Sequence, residues 1–415
     1  MKSPRDADPV QPVPSNKLLT VLLLTMGVGP LLTYGLSATS DLLIRRLDIT
    51  ESQFGLLATT LFICAALFSW VQGRLADVLS IRHQLIMNFG GTAVALAIAA
   101  FATEYWFLFI AMAIGGPVQV IANPTTNRVI KTLVPRNKRA SWIGVKQSGV
   151  QAAQLFGGLY FPIAALWMGW RGAFIGAAVI VLLLLLASLR ELPPEDPTDW
   201  TRVRQTLSFR RNNHLDPDQV DRLPGAVWIL AGVAFCGGLG MQATNVYLPL
   251  YAVRELDFSL VMGGVTAGVA GTVGVISRIY WGKLMTMGHT PAKLLLWLTT
   301  GGIVGVLLLM FAGDLQLTWM LWAGVLLYGL TVLGTNVIVN AGTMAIVNPE
   351  RIGTASGITT LGMYAGFASG PFLSGLLLEQ TGSFHASWIA VTTAYVVCLG
   401  LAVMLGIVQR NREAA

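Results

Sequence analysis

From Gly172 to Leu189 the chain reads GAFIGAAVIVLLLLLASL, with no charged side chain. A helix needs roughly 20 such residues to cross the hydrocarbon core of a bilayer. Comparable runs recur along the whole chain, at about 17–40, 53–73, 84–102, 105–128, 140–163, 171–189, 225–251, 259–281, 293–312, 317–345, 354–378 and 386–408. Backbone groups in lipid find no water, so each segment must close its own hydrogen bonds; alternating barrel strands are absent. The expected fold class is an all-α membrane protein of 12 transmembrane helices. Composition agrees: 54% of residues are apolar and 11% are charged, where soluble domains carry about 25% charged residues.

The formal net charge of +7 invites a nucleic-acid reading, but its placement argues against one. Lys131, Arg136, Lys138, Arg139, Arg190, Arg202, Arg204, Arg210, Arg211 and Arg222 fall in one set of loops, against Arg45, Arg46, Arg171 and Arg254 in the other. That alternation predicts that the first set, and with it both termini, is cytoplasmic. The expected location is the inner (plasma) membrane, crossed many times. The expected partners are the bilayer and a small solute, with no nucleic acid, and the chain is expected to work as a monomer. Cys64, Cys236 and Cys398 lie in apolar segments without metal-ligand spacing, so free thiols, no metal and no cofactor are expected.

The segments divide into two related halves. Arg45, Leu47, Asp48 and Gly55 recur as Arg254, Leu256, Asp257 and Gly264; Gly73 and Leu75 recur as Gly282 and Leu284, all at one offset. Thr50 is paired with Ser259 at the same offset. A weaker echo sets Pro135–Gly144 against Pro349–Gly357. Six helices repeated once in the same orientation describe parallel repeats about an axis along the membrane normal. The domain reading is a disordered cytoplasmic tail at 1–16, six-helix bundles at 17–189 and 225–408, a cytoplasmic linker at 190–224 with a surface helix near Trp200 to Phe209, and a tail at 409–415.

The loop Gly73-Arg74-Leu75-Ala76-Asp77-Val78-Leu79-Ser80-Ile81-Arg82-His83 resembles the G-x-L-A-D-R-x-G-R-R loop of the major facilitator superfamily. Gly169-Trp170-Arg171 and Gly366-Phe367-Ala368-Ser369-Gly370-Pro371 are similar to further turns and kinks of that family. The resemblance implies two six-helix bundles around a central path. It implies that the loop, through Gly73, Asp77 and Arg82, latches the halves in one state of a transport cycle. The chain departs from the pattern at Val78, Ser80 and Ile81, which weakens the expected latch. It also lacks an Arg at Ala111 and a Gly-Pro motif in the fifth helix, both of which mark proton-driven drug antiporters in the family.

In that fold the first, fourth, seventh and tenth helices face the path. Polar residues at helical spacing agree: Thr33, Ser37 and Asp41; Gln119, Asn123 and Asn127; Gln147, Gln151 and Gln154; Gln242 and Asn245; Asn336, Asn340 and Thr343. Amides of this kind also serve as contacts between helices. Lys146 and Arg278 fall inside predicted helices, where a charge is costly and marks a functional site by default. Each also lies within about two turns of a helix end, so both can instead snorkel to the headgroups. Arg278 stands four residues before Gly282, a placement that resembles the substrate Arg of monocarboxylate carriers.

The expected solute-binding set is Arg278, Lys146, Gln147, Gln151, Gln119, Asn123, Asn245, Asn336 and Asn340. Asp41, the carboxylate nearest the path, is the candidate for proton coupling, against a plain cap or interfacial role. Together these read as secondary transport of a small organic anion, carboxylate-like, by alternating access and proton symport. Drug or toxin efflux, or uptake of a neutral sugar-like solute, are the alternatives on the same fold. No HExxH, GxSxG or phosphate loop lies at either membrane face, so an enzyme is not expected.

Overall fold

In the computed structural model, residues 15–192, 198, 200–207, 223–347 and 351–413 are described. The elements are α1 Asn16–Val28, α2 Leu31–Ala38, α3 Ser40–Leu47, α4 Glu51–Val78, α5 Ile81–Leu85 running through a π-turn at Ile86–Gly90 into α6 Gly91–Ala100, α7 Tyr105–Val120, α8 Ala122–Leu133 and α9 Arg136–Arg190. After the linker helix α10 (Trp200–Leu207) come α11 Gly225–Glu255, α12 Leu260–Thr286, α13 Pro291–Asp314, α14 Thr318–Thr331, a 3₁₀ turn at Val332–Gly334, α15 Thr335–Ile346, α16 Ile352–Thr381 and α17 Phe384–Glu413. All regular structure among the described residues is helical.

Ten helices are long and apolar enough to span a bilayer, and α1 with α2, bent by 52°, makes an eleventh. The apolar stretch Ser141–Arg190 has 50 residues, about 75 Å at 1.5 Å per residue, against a hydrocarbon core near 30 Å. It is two spans: Gly169 breaks α9 with φ 68, a left-handed conformation that glycine adopts without a Cβ clash. Counted so, the described chain holds the twelve expected crossings. The disordered-tail expectation at 1–14, the last linker residues and the echo at Pro349 lie outside the described residues.

Local geometry carries the repeat. Asp48 and Asp257, paired by the offset, are both left-handed, with φ 49 and 52. Two residues later Thr50 and Ser259 each open a helix as N-cap, their hydroxyls accepting from the backbone N–H of Gln53 and Met262. Both halves therefore turn back into the membrane by the same turn and cap.

Lys17 at the start of α1 pairs with Glu191 after α9 at 3.1 Å, so the first and sixth crossings end at one face, called here the terminal face. The opposite, far face carries α3, which the sequence reading had not anticipated. At the far end of α4 and α16 the halves interlock. Tyr247 donates to the Glu51 carbonyl at 2.7 Å, and Thr59 donates to the Ala368 carbonyl at 2.5 Å. A Cβ on Gly55 would sit 2.3 Å from the Pro371 carbonyl oxygen. Phe62 packs on Phe367 with centroids 5.1 Å apart. Toward the terminal face the same helices part: a Cβ on Gly73 of α4 or on Gly357 of α16, each in line with the contacting face of its helix, would meet open space. A second contact between halves crosses at Gly158 of α9 and Gly264 of α12, where a Cβ on either would meet the other's carbonyl oxygen at 2.4 or 2.1 Å. Small residues let helix backbones meet this closely in lipid. The halves are therefore closed at the far face and separated at the terminal face.

Candidate functional site

Three of the helices expected to line the path are interrupted. The first breaks at Gly29–Pro30, between α1 and α2. The fourth breaks at Ile121, between α7 with Pro117 and α8 with Pro124; the tenth passes through the 3₁₀ turn at Val332–Gly334. Such breaks free backbone and side-chain groups at mid-membrane, and they occur where helices line a cavity.

Lys146 is fully buried, with 0% exposure, on the terminal-face half of α9. Its ammonium donates to Asn127 Oδ1 at 2.6 Å, Thr126 Oγ1 at 2.7 Å and Asn123 Oδ1 at 3.1 Å. Three donors meet three neutral oxygens, which is the compensation a buried ammonium needs. Neighbouring Gln147 donates from Nε2 to the same Asn123 Oδ1 at 3.2 Å. Asn123 and Asn127 are themselves exposed, lying at the surface between the parted halves.

Arg278 approaches this cluster from the other half. Its Nη1 donates to the Gln147 carbonyl at 2.9 Å, and its Nε to the Leu333 carbonyl, in the 3₁₀ turn of the tenth helix, at 3.3 Å. Tyr34 of α2 lies within electrostatic reach of the guanidinium. Among the described residues neither Arg278 nor Lys146 pairs with a carboxylate. Neither snorkels: both are engaged with helix interiors.

A second polar layer lies toward the far face. Gln154 donates to Asn245 Oδ1 at 3.1 Å across the halves, Asn245 donates to Gln242 Oε1 at 2.9 Å, and Tyr328 donates to Asn245 Oδ1 at 2.8 Å. Ser37 donates to the Asn245 and Val246 carbonyls at 2.8 and 2.9 Å. Here the stripes act as contacts between halves in this arrangement.

The remaining expected residues lie apart from these clusters. Gln151 is buried at the α9–α12 crossing, its Cγ beside Gly274, and Gln119 packs against Gly29 at the break of the first helix. Among the described residues the Oε1 of each has no hydrogen-bond partner. Asn336 points to Met241 Sδ at 3.9 Å, and Asn340 is exposed.

Asp41 is at the far face. Its carboxylate accepts from Arg254 Nε and Arg45 Nε, both at 3.0 Å, and Arg254 reaches on to Glu51. The candidate for proton coupling is thus one member of a charged lock between the halves, well away from Lys146 and Arg278.

Of the expected latch, a Cβ on Gly73 would meet open space and Arg82 is exposed; the side chain of Asp77 lies outside the described residues. In this arrangement, open at the terminal face, Gly73 makes no contact with the other half. The loop is instead held by Arg128 and Gln84, which both donate to the Ala76 and Leu79 carbonyls, at 2.7 to 2.9 Å. Sequence reasoning missed both residues. Donors placed at the last carbonyls of a helix are a recognisable cap, but Arg128 counts equally well as topological charge.

Comparison with known proteins fits this geometry. The family described as Major Facilitator Superfamily matches residues 19–371. A relative described as a probable sulfoacetate transporter, SauU of Cupriavidus necator, is 23% identical over 385 residues, covering 89% of this chain and 88% of that protein. The multidrug resistance protein MdtG of Citrobacter koseri is 26% identical over 275 residues, 64% of each chain. Among solved structures, a bacterial homolog of the human lysosomal transporter Spinster, in an inward-facing and occupied conformation, superposes with a TM-score of 0.69 at 16% identity, covering 95% of this chain and 97% of that one. The match to the family over most of the chain, on a twelve-span fold of two repeated halves, establishes that this chain belongs to the major facilitator superfamily.

Proposed function

We propose that this protein is a secondary transporter of a small organic anion, a carboxylate or sulfonate, working by alternating access between its two halves. The observation that carries the reading is the meeting of Arg278 and the Lys146 cluster at the seam between halves, with neither paired to a carboxylate among the described residues. Buried positive charge lacking a protein counter-ion favours an anionic occupant. The guanidinium offers a planar fork that matches a carboxylate or sulfonate edge. The similarity to a protein described as a probable sulfoacetate transporter supports the same solute class. The loop-charge pattern makes the terminal face cytoplasmic in the inner membrane, so the arrangement described is open inward.

Proton coupling is assigned to Asp41. Protonation there removes one of the two carboxylates that hold Arg254, and so favours parting of the halves at the far face. The test is uptake by proteoliposomes under an imposed proton gradient, against a panel of labelled carboxylates and sulfonates with glucose and a cationic dye as controls. Uptake of an anion, abolished in Arg278→Ala at equal reconstitution, is the expected result. Movement of only the dye or the sugar would refute the reading, and full activity of Arg278→Ala would remove Arg278 from the site.

A further inference from the structure

We infer that Lys146 serves an anion without touching it: by holding the Asn123 and Asn127 side chains it turns their amide NH₂ groups into the space between the halves, making an oxyanion site there with Arg278. The inference deepens the proposed function and rests on it.

An asparagine side chain has an oxygen that accepts and a nitrogen that donates, and either can face a given neighbour. A lysine ammonium has donors only. Lys146 therefore fixes which way both amides point: Asn127 Oδ1 and Asn123 Oδ1 must face Nζ, at 2.6 and 3.1 Å. Gln147 adds a second donor to Asn123 Oδ1, which holds that amide further. The two Nδ2 groups are left on the opposite side, without an acceptor among the described residues, on side chains that are exposed where the halves part.

Lys146 itself is sealed behind them at 0% exposure, with its three protons already committed. Direct contact with a solute would require dismantling this cage. Contact through the amides requires no movement. The cation also polarises each amide it binds, strengthening the outward N–H donors. Arg278 Nη1, bonded to the carbonyl of Gln147, brings the guanidinium to the same place from the other half. The outward amide nitrogens and Arg278 present donors and positive charge, which suits a carboxylate, sulfonate or phosphate oxygen edge. A neutral polyol gains nothing from that charge and is held less well.

Two variants separate this arrangement from direct contact. Asn127→Leu removes one outward donor and one of the three acceptors that hold Lys146. Lys146→Met removes the clamp, and both amides become free to show their oxygens to the cavity. The assay is isothermal titration of the purified full-length protein with sulfoacetate, acetate and inorganic phosphate, with glucose as the neutral control and folding checked by thermal melting. The expected result is at least tenfold weaker binding of the preferred anion in each variant. In Lys146→Met the anion-to-glucose preference also falls, a change that simple loosening of the fold does not produce. Unchanged or tighter binding by Asn127→Leu would overturn the inference, since the outward Asn127 donor would then play no part in holding the anion, while the proposed function would stand. If Lys146→Met does not fold, Asn127→Leu alone decides. A wild-type protein that binds only glucose, or none of the four, overturns the proposed function and this inference together.

Discussion

Arg254→Met should unlock the far face. Arg254 stands between Asp41, at 3.0 Å, and Glu51, with side-chain exposures of 25%, 13% and 21% for the three residues. These pairs are neither fully exposed nor deeply buried. Fully exposed pairs contribute about 0.2–1 kcal/mol and hydrogen bonds to charged groups about 1.5–3 kcal/mol. About 1 kcal/mol for each of the two contacts is a discounted middle value. Removing both shifts the balance between closed and open far face by about 2 kcal/mol, a factor of about 30. Asp41 and Glu51 belong to the same half, so the repulsion left between them is common to both states and does not add to the shift, and Arg45 stays on Asp41. The Gly55–Pro371 and Tyr247–Glu51 contacts remain, so the closed form is weakened and not abolished. Spin labels at the exposed far-face positions Glu104 and Leu315, in a background lacking the three native cysteines, report the separation by double electron–electron resonance. A new long-distance population should appear in Arg254→Met, and high salt should move the wild type the same way, more weakly. An unchanged distance distribution in the variant would refute the assignment of these ion pairs as a lock.

Two further outcomes follow from the packing and the topology. Gly264→Leu should reduce transport to a tenth or less and expose the α9–α12 seam to a membrane-permeant thiol probe on Gln151→Cys, because a Cβ there would lie 2.1 Å from the Gly158 carbonyl oxygen; unaltered transport would mean that the crossing is not used in the cycle. Single cysteines at Lys138 and Thr198 should react with an impermeant maleimide from the same side of the membrane in oriented vesicles, and labelling from opposite sides would break the twelve-span topology.

The crossings were legible because a bilayer demands runs of nearly fixed length, which composition alone exposes. The repeat was legible because turn geometry restricts residue choice. Asp48 and Asp257 occupy left-handed backbone, where Asp is among the few tolerated side chains, and Thr50 and Ser259 both supply a capping hydroxyl. Helical periodicity placed the amide stripes but said nothing about what lies opposite each of them. Gln154 meeting Asn245, and Asp41 meeting Arg254, are contacts between residues 91 and 213 positions apart, set by how two bundles dock. The break at Gly29–Pro30 had a signal in its own residues. The 3₁₀ turn at Val332–Gly334 has no proline and depends on packing, including Trp281, which donates to the Leu330 carbonyl at 2.7 Å.

On the proposed function, the position of Arg278 links solute binding to movement of the halves. Its bond to the Gln147 carbonyl joins the two halves and exists only while α9 and α12 keep their present crossing. An anion held by the remaining N–H donors of the guanidinium together with the α8 amides loses part of that site when α9 and α12 part, so it binds the present arrangement and any rearranged one with different free energies. Such a difference is the requirement for a ligand to shift a conformational equilibrium. A solute with equal affinity for both arrangements has no such difference and leaves the equilibrium where it was, however tightly it is held. Selectivity for oxyanions and coupling of binding to transport are on this view two consequences of one contact. A variant that keeps the charge but loses the fork, Arg278→Lys, should therefore lose more in transport rate than in affinity.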